Sequence, residues 1–182
     1  MIITEATFRD TSDISFLVNR AYRDRQAQGG WTNETGLLRG NRTDPGSLRS
    51  VLQEGKRVLL MLRLDAMEPL IGCVSVELID VATWYISMLA IDPDHQAGGL
   101  GRALMKAAED YARDRGAKTA RITVIHLRGA LIRWYERRGY RRTGVVQPFP
   151  YDDSSVGIPL RDDLRLLVLE KRLDGTEPPR TA

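Results

Sequence analysis

The chain has 182 residues, of which 42% are hydrophobic, and its formal net charge at pH 7 is +3. This length and composition suit one domain with a real core. No apolar run approaches the length of a membrane span, and the N-terminus lacks the basic-then-apolar pattern of a signal peptide. The single cysteine, Cys73, excludes an internal disulfide and is expected in the core. We therefore expect a cytoplasmic protein without a membrane partner.

The mild basic excess does not by itself indicate nucleic-acid binding. A nucleic-acid-binding alternative would rest on four clustered arginines, Arg137, Arg138, Arg141 and Arg142. Only Tyr140 lies among them as a platform for stacking, and such a cluster is typical of a solvated face. We therefore expect no nucleic-acid partner.

The N-terminal part alternates structured and irregular segments. Ile2–Phe8 reads as a strand, and a helix follows it, with an apolar stripe at Ile14, Leu17, Val18, Ala21 and Tyr22. Gln26–Gly46 is less regular and contains five glycines. Asp44-Pro45 then supplies the N-cap and first residue of a second helix.

Three strands come next. Arg57–Leu64 and Leu70–Ile79 are rich in β-favouring residues and flank a short turn, which predicts a hairpin. Ala82–Ile91 is a third strand, and Asp92-Pro93-Asp94 ends it with turn residues.

The next segment is the one around which the chain is organised. Gln96–Arg102 is a glycine-rich bend, and the residues after it have the three-and-four spacing of a helical stripe. Gly116 fits a helix C-terminus, and Lys118–Ile125 reads as a strand. Strand, bend, helix and strand predict a βαβ unit with parallel strands and a right-handed crossover.

A bend of this kind can bind an anion. Glycines let the backbone approach a ligand, and the first N–H groups of a helix lack partners within it. A phosphate or pyrophosphate satisfies those groups. The alternative is a glycine-rich turn that only links two elements.

Two motifs distinguish these alternatives. Gln96-x-x-Gly99-x-Gly101 after a strand resembles the acetyl-CoA pyrophosphate loop of the GNAT N-acetyltransferase superfamily, and Tyr135-x-x-x-Gly139-Tyr140 resembles that family's second motif. A P-loop would need Lys-Ser or Lys-Thr after the last glycine, and a dinucleotide fingerprint would need Gly-x-Gly-x-x-Gly. Neither pattern is present at this bend.

The resemblance implies an α/β (α+β) GNAT fold. It has a mixed, mostly antiparallel sheet of about seven strands, a central parallel βαβ unit and flanking helices. We expect one such domain over residues 1–174, with Tyr140–Phe149 and Leu164–Leu173 as its last strands. Residues 175–182 are expected to form a flexible tail.

The resemblance also implies acetyl-CoA as co-substrate, with no metal, and direct transfer of the acetyl group to a primary amine of a small molecule or peptide. The pyrophosphate would lie on the backbone N–H groups of Gln96, Ala97, Gly98, Gly99, Leu100, Gly101 and Arg102. The pantetheine arm would pair with the backbone of Leu89, Ala90 and Ile91, where the strand splays from its parallel neighbour.

Tyr135 matches the family's usual general acid, although an aromatic residue on the inner face of a short helix can also be core. The family often uses a glutamate as general base, and Glu77 is the only carboxylate in the predicted strand Leu70–Ile79. The alternative is that Glu77 is a solvent-facing strand residue without a catalytic role. Arg128 stands where many relatives carry an asparagine that touches pantetheine. The sequence does not identify the general base or the acceptor, and it does not distinguish a monomer from a homodimer. An alternative function is a catalytically idle sensor that binds acetyl-CoA.

The acceptor is expected between two long loops. The resemblance implies that Trp31–Arg42 is a specificity loop, and Phe149–Pro159 carries aromatic residues that disfavour disorder. Arg39 and Arg42 in the first loop and Asp152 and Asp153 in the second could clamp a zwitterion. The alternative is that the two loops only pair with each other on the surface.

Overall fold

A computed structural model describes residues 1–24 and 30–175 of the chain. Gln26–Gly29 of the irregular segment and residues 176–182 of the expected tail lie outside the described residues. The strands are β1 (Ile2–Glu5), β2 (Leu38–Arg39), β3 (Arg57–Arg63), β4 (Gly72–Leu78), β5 (Thr83–Ile91), β6 (Thr119–Ile125), β7 (Arg141–Pro148), β8 (Ile158–Pro159) and β9 (Arg165–Arg172). The helices are α1 (Thr11–Arg23), α2 (Pro45–Glu54), α3 (Leu100–Asp114) and α4 (Gly129–Glu136). Within the described ranges, short 3₁₀ helices lie at Phe8–Asp10, Pro93–Gly98 and Ser154–Val156.

Seven strands form one sheet in the order β1-β3-β4-β5-β6-β9-β7, and β2 pairs with β8 in a separate ribbon. Every neighbouring pair in the large sheet is antiparallel except β5 and β6, which are parallel. The predicted hairpin of β3 and β4 and the predicted βαβ unit of β5, α3 and β6 are confirmed. The fold class is therefore the one expected from the sequence.

The two faces of the sheet carry different helices. On one face, α1 and α2 pack over Cys73 and Ala90. On the other face, α3 and α4 pack over Val74 and Ile122. Cys73 is fully buried, as expected, and burial raises the pKa of its thiol to about 12. Within the described residues, no helix has the length and apolarity needed to cross a membrane.

Local sequence chemistry sets the ends of the helices. Asp44 caps α2 by accepting hydrogen bonds from the backbone N–H groups of Gly46 and Ser47. Gly116 follows α3 with φ of +87°, as a helix C-terminus requires. The first strand was predicted to reach Phe8, but it ends at Glu5. A 3₁₀ helix starts at Phe8 because Thr7 and Asp10 form a capping box.

The parallel pair β5–β6 separates along its length. The two strands pair only at one end, where Thr83–Tyr85 of β5 lies beside Thr119–Arg121 of β6. Further along β5, the register with β4 shifts between Cys73 and Ser75, and Met88 has φ of +51°. A left-handed residue other than glycine costs about 1–2 kcal/mol, so packing around the bulge must hold this conformation. The splay expected between the two strands is therefore present, and it opens a gap in the sheet.

Candidate active site

The glycine bend has the backbone geometry of an anion site. Gly99 is the N-cap of α3, and its φ of +73° is one that a side chain would make costly. The backbone N–H groups of Arg102 and Ala103 already bond to the Gly99 carbonyl oxygen. The earlier N–H groups of α3, on Leu100 and Gly101, precede the first complete helical turn and lack acceptors within it. They are the groups that a phosphate would contact.

Trp31 lies directly against this bend. A Cβ on Gly101 would be 2.9 Å from the Cζ2 atom of the Trp31 ring. The Trp31 backbone N–H donates to Oε1 of Gln96 at 3.1 Å, and Nε2 of Gln96 donates to the Ile91 carbonyl oxygen at 3.2 Å. The Trp31 ring also stacks on Trp134 of α4, with centroids 4.9 Å apart. Trp31 therefore bridges the start of α3 and the ring of Trp134 on α4, a contact that could not be predicted from the sequence.

Basic and acidic side chains line a cavity that runs along α3 from Arg102, near its start, to Arg113, in its last turn. This cavity, of about 380 Å³, is lined by Arg102, Met105, Lys106, Glu109, Asp110, Arg113, Arg138 and Lys171. The Arg102 guanidinium reaches back to 3.6 Å from where a Gly99 Cβ would lie. Burial lowers the pKa of Arg138, and repulsion by Arg137 and Arg102 lowers it further. A bound anion would relieve that repulsion, so the cluster suits phosphate.

A second cavity, which we call the gap cavity, occupies the space between β5 and β6. Its volume is about 280 Å³. It is lined by Tyr22, Glu34, Leu38, Arg42, Tyr85, Ile86, Ser87, Met88, Leu89, Ile122, Thr123, Val124, Ile125, Arg128, Leu131, Tyr135, Pro150, Val156 and Leu166. Residues of α4 line it from one face of the sheet, and residues of α1 and the α1–α2 segment line it from the other. The splay thus joins the two faces.

Tyr135 lies in the wall of the gap cavity. Its ring packs edge-on against Trp134 and Tyr140, with centroids 5.0 and 5.6 Å away. Burial raises the pKa of Tyr135, with a smaller contribution from Tyr85. No described residue makes a hydrogen bond to the Tyr135 hydroxyl group, so this group can donate to a ligand. Packing and donation are compatible here, because the ring is core while the hydroxyl group faces the cavity.

Glu34 supplies the carboxylate of the gap cavity, and no other acid among the described residues lines it. Its Oε2 is 2.6 Å from a guanidinium nitrogen of Arg23, and its Oε1 is 3.5 Å from one of Arg128. Glu34 lies in the expected specificity loop, but no role was predicted for it from the sequence. Nothing in its sequence context marks it, because both partners are distant in sequence.

Glu77, the candidate base, has a different environment. It forms an ion pair with Arg57, whose Nε and Nη2 lie 2.9 and 2.5 Å from Glu77 Oε2. It pairs with Tyr85 across β4 and β5, so the two side chains share a face of the sheet. Tyr85 lines the gap cavity, but Glu77 is not among the described residues that do. A catalytic role for Glu77 stays a prediction.

The backbone of Leu89–Ile91 already has partners inside the protein. The Tyr22 hydroxyl group donates to the Leu89 carbonyl oxygen at 3.0 Å. Ala90 is paired with Cys73 in the sheet. Since β6 has no pairing with this part of β5, a ligand strand has room on that side.

The two long loops meet as β2 and β8, where Leu38 pairs with Pro159. Both loops contribute to the gap cavity, through Glu34, Leu38 and Arg42 of the first and Pro150 and Val156 of the second. Asp152 and Asp153 are exposed and lie outside that lining. They are therefore poorly placed to hold an acceptor amine, in contrast to the expectation from their charge.

Arg128, which departs from the family pattern, holds the first loop in place. Its guanidinium donates to the Trp31 carbonyl oxygen at 2.5 Å and to the Thr32 carbonyl oxygen at 3.3 Å. It also faces Glu34. At this position the chain uses a long cation to fix Trp31 and Glu34 against α4.

The chain is similar in sequence to one family of known proteins. The model of the acetyltransferase (GNAT) family matches residues 28–140, which is more than half of the chain. The chain therefore belongs to the GNAT family. The match includes both the glycine bend and the Tyr135 motif.

Individual relatives match less completely. Streptothricin acetyltransferase from Streptomyces lavendulae is 35% identical over 72 residues, which are 40% of this chain and 38% of that protein. The structure of ribosomal-protein-alanine N-acetyltransferase from Brucella melitensis superposes with a TM-score of 0.67 at 18% identity, covering 94% of this chain and 99% of that one. The structure of yncA from Salmonella typhimurium, which was solved with its cofactor acetyl-CoA, superposes with a TM-score of 0.66 at 22% identity. The superposition covers 100% of this chain and 99% of that one. Likeness at these identities establishes the shared fold.

Proposed function

We propose that this protein transfers an acetyl group from acetyl-CoA directly to a primary amine of a small molecule or peptide. The observation that carries the proposal is the gap cavity, in which the Tyr135 hydroxyl group and the Glu34 carboxylate face one space between two splayed strands. Relatives named for streptothricin and for a ribosomal-protein alanine acetylate a small molecule and a protein, respectively. Both kinds of acceptor present an amine.

The residues beside the cavity fit the donor. The N–H groups at the start of α3 and the arginines around them suit the phosphates of acetyl-CoA. The free side of β5 suits the amide groups of its pantetheine arm, and yncA, with the same fold, was solved with acetyl-CoA. We therefore assign the pyrophosphate to Gln96–Arg102 and the pantetheine to Leu89–Ile91.

The chemistry needs three proton movements. The acceptor ammonium loses one proton before its nitrogen attacks the acyl carbon, and the nitrogen loses a second proton after the C–N bond has formed. The new C–N bond replaces the C–S bond, and the sulfur leaves as a thiol after gaining a proton. Making a lysine-like amine neutral at pH 7 costs about 4.6 kcal/mol, whereas an α-amine costs about 1 kcal/mol. A carboxylate near the amine lowers the first barrier. Glu34 faces the cavity, and Glu77 is the alternative.

Tyr135 acts on the sulfur. An ordinary tyrosine has a pKa of about 10 and a thiol of about 8.5, so full proton transfer to a thiolate is uphill by about 2 kcal/mol. Burial raises the pKa of Tyr135 and makes that transfer harder. Tyr135 therefore acts as a hydrogen-bond donor while negative charge develops on the sulfur, and the proton finally bound there can come from solvent.

The competing function is an acetyl-CoA sensor that binds without turnover. A thiol-release assay against amines, amino acids, polyamines, antibiotics and peptide N-termini distinguishes the two. We expect thiol release with at least one acceptor, and an about 100-fold slower rate with Tyr135→Phe at unchanged acetyl-CoA affinity. Tight acetyl-CoA binding without thiol release across the panel would instead identify a sensor.

Two further variants identify the base. If Glu34 is the base, Glu34→Gln lowers the rate most at low pH, and Glu77→Gln changes it little. The reverse ranking would assign the role to Glu77.

A further inference from the structure

Arg42 occupies a special position beside the gap cavity. Its half-buried side chain lines that cavity and also a neighbouring one of about 150 Å³, which contains Ser75, Ser87 and Met88. The backbone around it is fixed to α1, because Oδ1 of Asn19 accepts from the Arg42 N–H at 2.7 Å and Nδ2 of Asn19 donates to the Thr43 carbonyl oxygen at 2.9 Å. The Arg42 side chain therefore extends from a fixed backbone position and lies at the junction of the two cavities.

The other arginines at the gap cavity, Arg128 in its lining and Arg23 just outside it, already have partners. Arg23 bonds to Glu34 and to the Val156 carbonyl oxygen, and Arg128 bonds to the first loop. In contrast, no described residue gives the Arg42 side chain a hydrogen bond or an ion pair. Its guanidinium carbon lies 5.9 Å from the Tyr22 ring centroid, a contact that leaves the N–H groups free.

Asp153, the acid whose charge interacts with that of Arg42, already has a hydrogen-bond donor. The backbone N–H of Ser155 donates to Oδ1 of Asp153 at 2.9 Å. Hydrogen bonds from Ser155 lower the pKa of Asp153, and Arg42 adds a smaller effect without forming an ion pair. Asp153 is exposed, so water competes for it.

The charge balance of the cavity favours an anionic group. Among the described lining residues there is one carboxylate, Glu34, against Arg42 and Arg128, and Arg23 contacts that carboxylate from outside the lining. A purely cationic acceptor would meet excess positive charge there. An acceptor with both an amine and a carboxylate would place the amine near Glu34 and the carboxylate on the free guanidinium, which is shaped for bidentate binding.

We propose that Arg42 is a specificity-determining residue that binds a carboxylate on the acceptor, so that the acceptor class is a small amino acid or another carboxylate-bearing primary amine. This inference rests on the proposed function, since it concerns the acceptor of the same transfer. The gap-cavity volume of about 280 Å³, at the lower end for ligand pockets, agrees with an acceptor of that size.

The test compares amino acids with their carboxamides as acceptors, for the wild type and for Arg42→Gln. We expect kcat/KM to favour the acid in the wild type, and Arg42→Gln to lower kcat/KM for the acid about 10- to 100-fold, the range for a hydrogen bond to a charged group. The value for the carboxamide and the KM for acetyl-CoA should change little. Arg39→Gln is the matched control, because Arg39 is exposed, on the same loop and outside the cavity.

Binding of N-acetyl products gives a second readout, since these have no amine whose ionisation differs between acid and carboxamide. Calorimetry should show tighter binding of the N-acetyl amino acid than of its amide to the wild type, and equal binding to Arg42→Gln. Equal binding to the wild type, or thiol release with no preference for the acid, would overturn the role of Arg42 while leaving the transfer reaction intact. Absence of thiol release with every acceptor would refute the proposed function instead, and product binding would still decide whether Arg42 binds a carboxylate.

Discussion

The contact of Gly101 with Trp31 allows a quantitative test of how the first loop is joined to the glycine bend. A methyl group at residue 101 would be 2.9 Å from the Trp31 ring, whereas carbon atoms pack at about 3.5–4.0 Å. The ring must retreat by roughly 0.6–1 Å, and overpacking of this kind costs about 1–3 kcal/mol. Alanine is better than glycine inside a helix by about 0.5–1 kcal/mol. Gly101→Ala should therefore destabilise the protein by up to about 2.5 kcal/mol.

A double-mutant cycle separates the two terms. In a Trp31→Ala background the clash is gone, so Gly101→Ala should be neutral or stabilising by up to about 1 kcal/mol. Urea unfolding of the four proteins gives the coupling energy, expected at about 1–3 kcal/mol. Gly99→Ala is the control, because its cost comes from φ of +73° and the nearest side-chain atom belongs to Arg102. The contact would be refuted if the changes in unfolding free energy of the two single variants, Gly101→Ala and Trp31→Ala, added up to that of the double variant within about 0.5 kcal/mol.

Two further predictions concern the donor and the leaving group. Because burial raises the pKa of Tyr135, its hydroxyl group stays protonated where the acceptor amine becomes neutral. The acceptor kcat/KM should rise with pH and show no fall near a tyrosine's ordinary pKa of about 10; a fall there that Tyr135→Phe abolishes would contradict this. Arg102→Gln should raise the acetyl-CoA KM about 10-fold, less at 0.5 M salt. Arg49→Gln is the control, because Arg49 is exposed on α2. If both variants changed the acetyl-CoA KM equally, Arg102 would not be a phosphate-binding residue.

The sequence predicted those features that depend on local chemistry. Helix stripes, caps and turn residues placed the main elements to within a few residues, since each depends on neighbours along the chain. Gly99 could be recognised because a left-handed N-cap requires glycine. The position of Tyr135 followed from a motif, since its spacing to Gly139 is set by one short helix.

The features that escaped prediction depend on contacts between distant segments. Glu34 acquires its partners only when α1 and α4 approach the first loop. Met88 has a left-handed backbone because it lies at a bulge, and no residue type in the sequence predicts that bulge. Asp152 and Asp153 show the opposite problem. Their charge suggested a role at the acceptor, but the pairing of β2 with β8 leaves them on the surface.

The gap between β5 and β6 explains why the proposed transfer would use both faces of one sheet. Pairing along the full length of these strands would close the sheet and separate Tyr135 from Glu34. The pairing instead stops at Tyr85, which leaves backbone groups of β5 without a strand partner on that side. Such groups are costly when buried, so a ligand that carries its own amides should be favoured there over one that does not. If pantetheine fills that side, the acceptor can reach the acyl carbon only from the opposite face, where Glu34 and Arg42 lie.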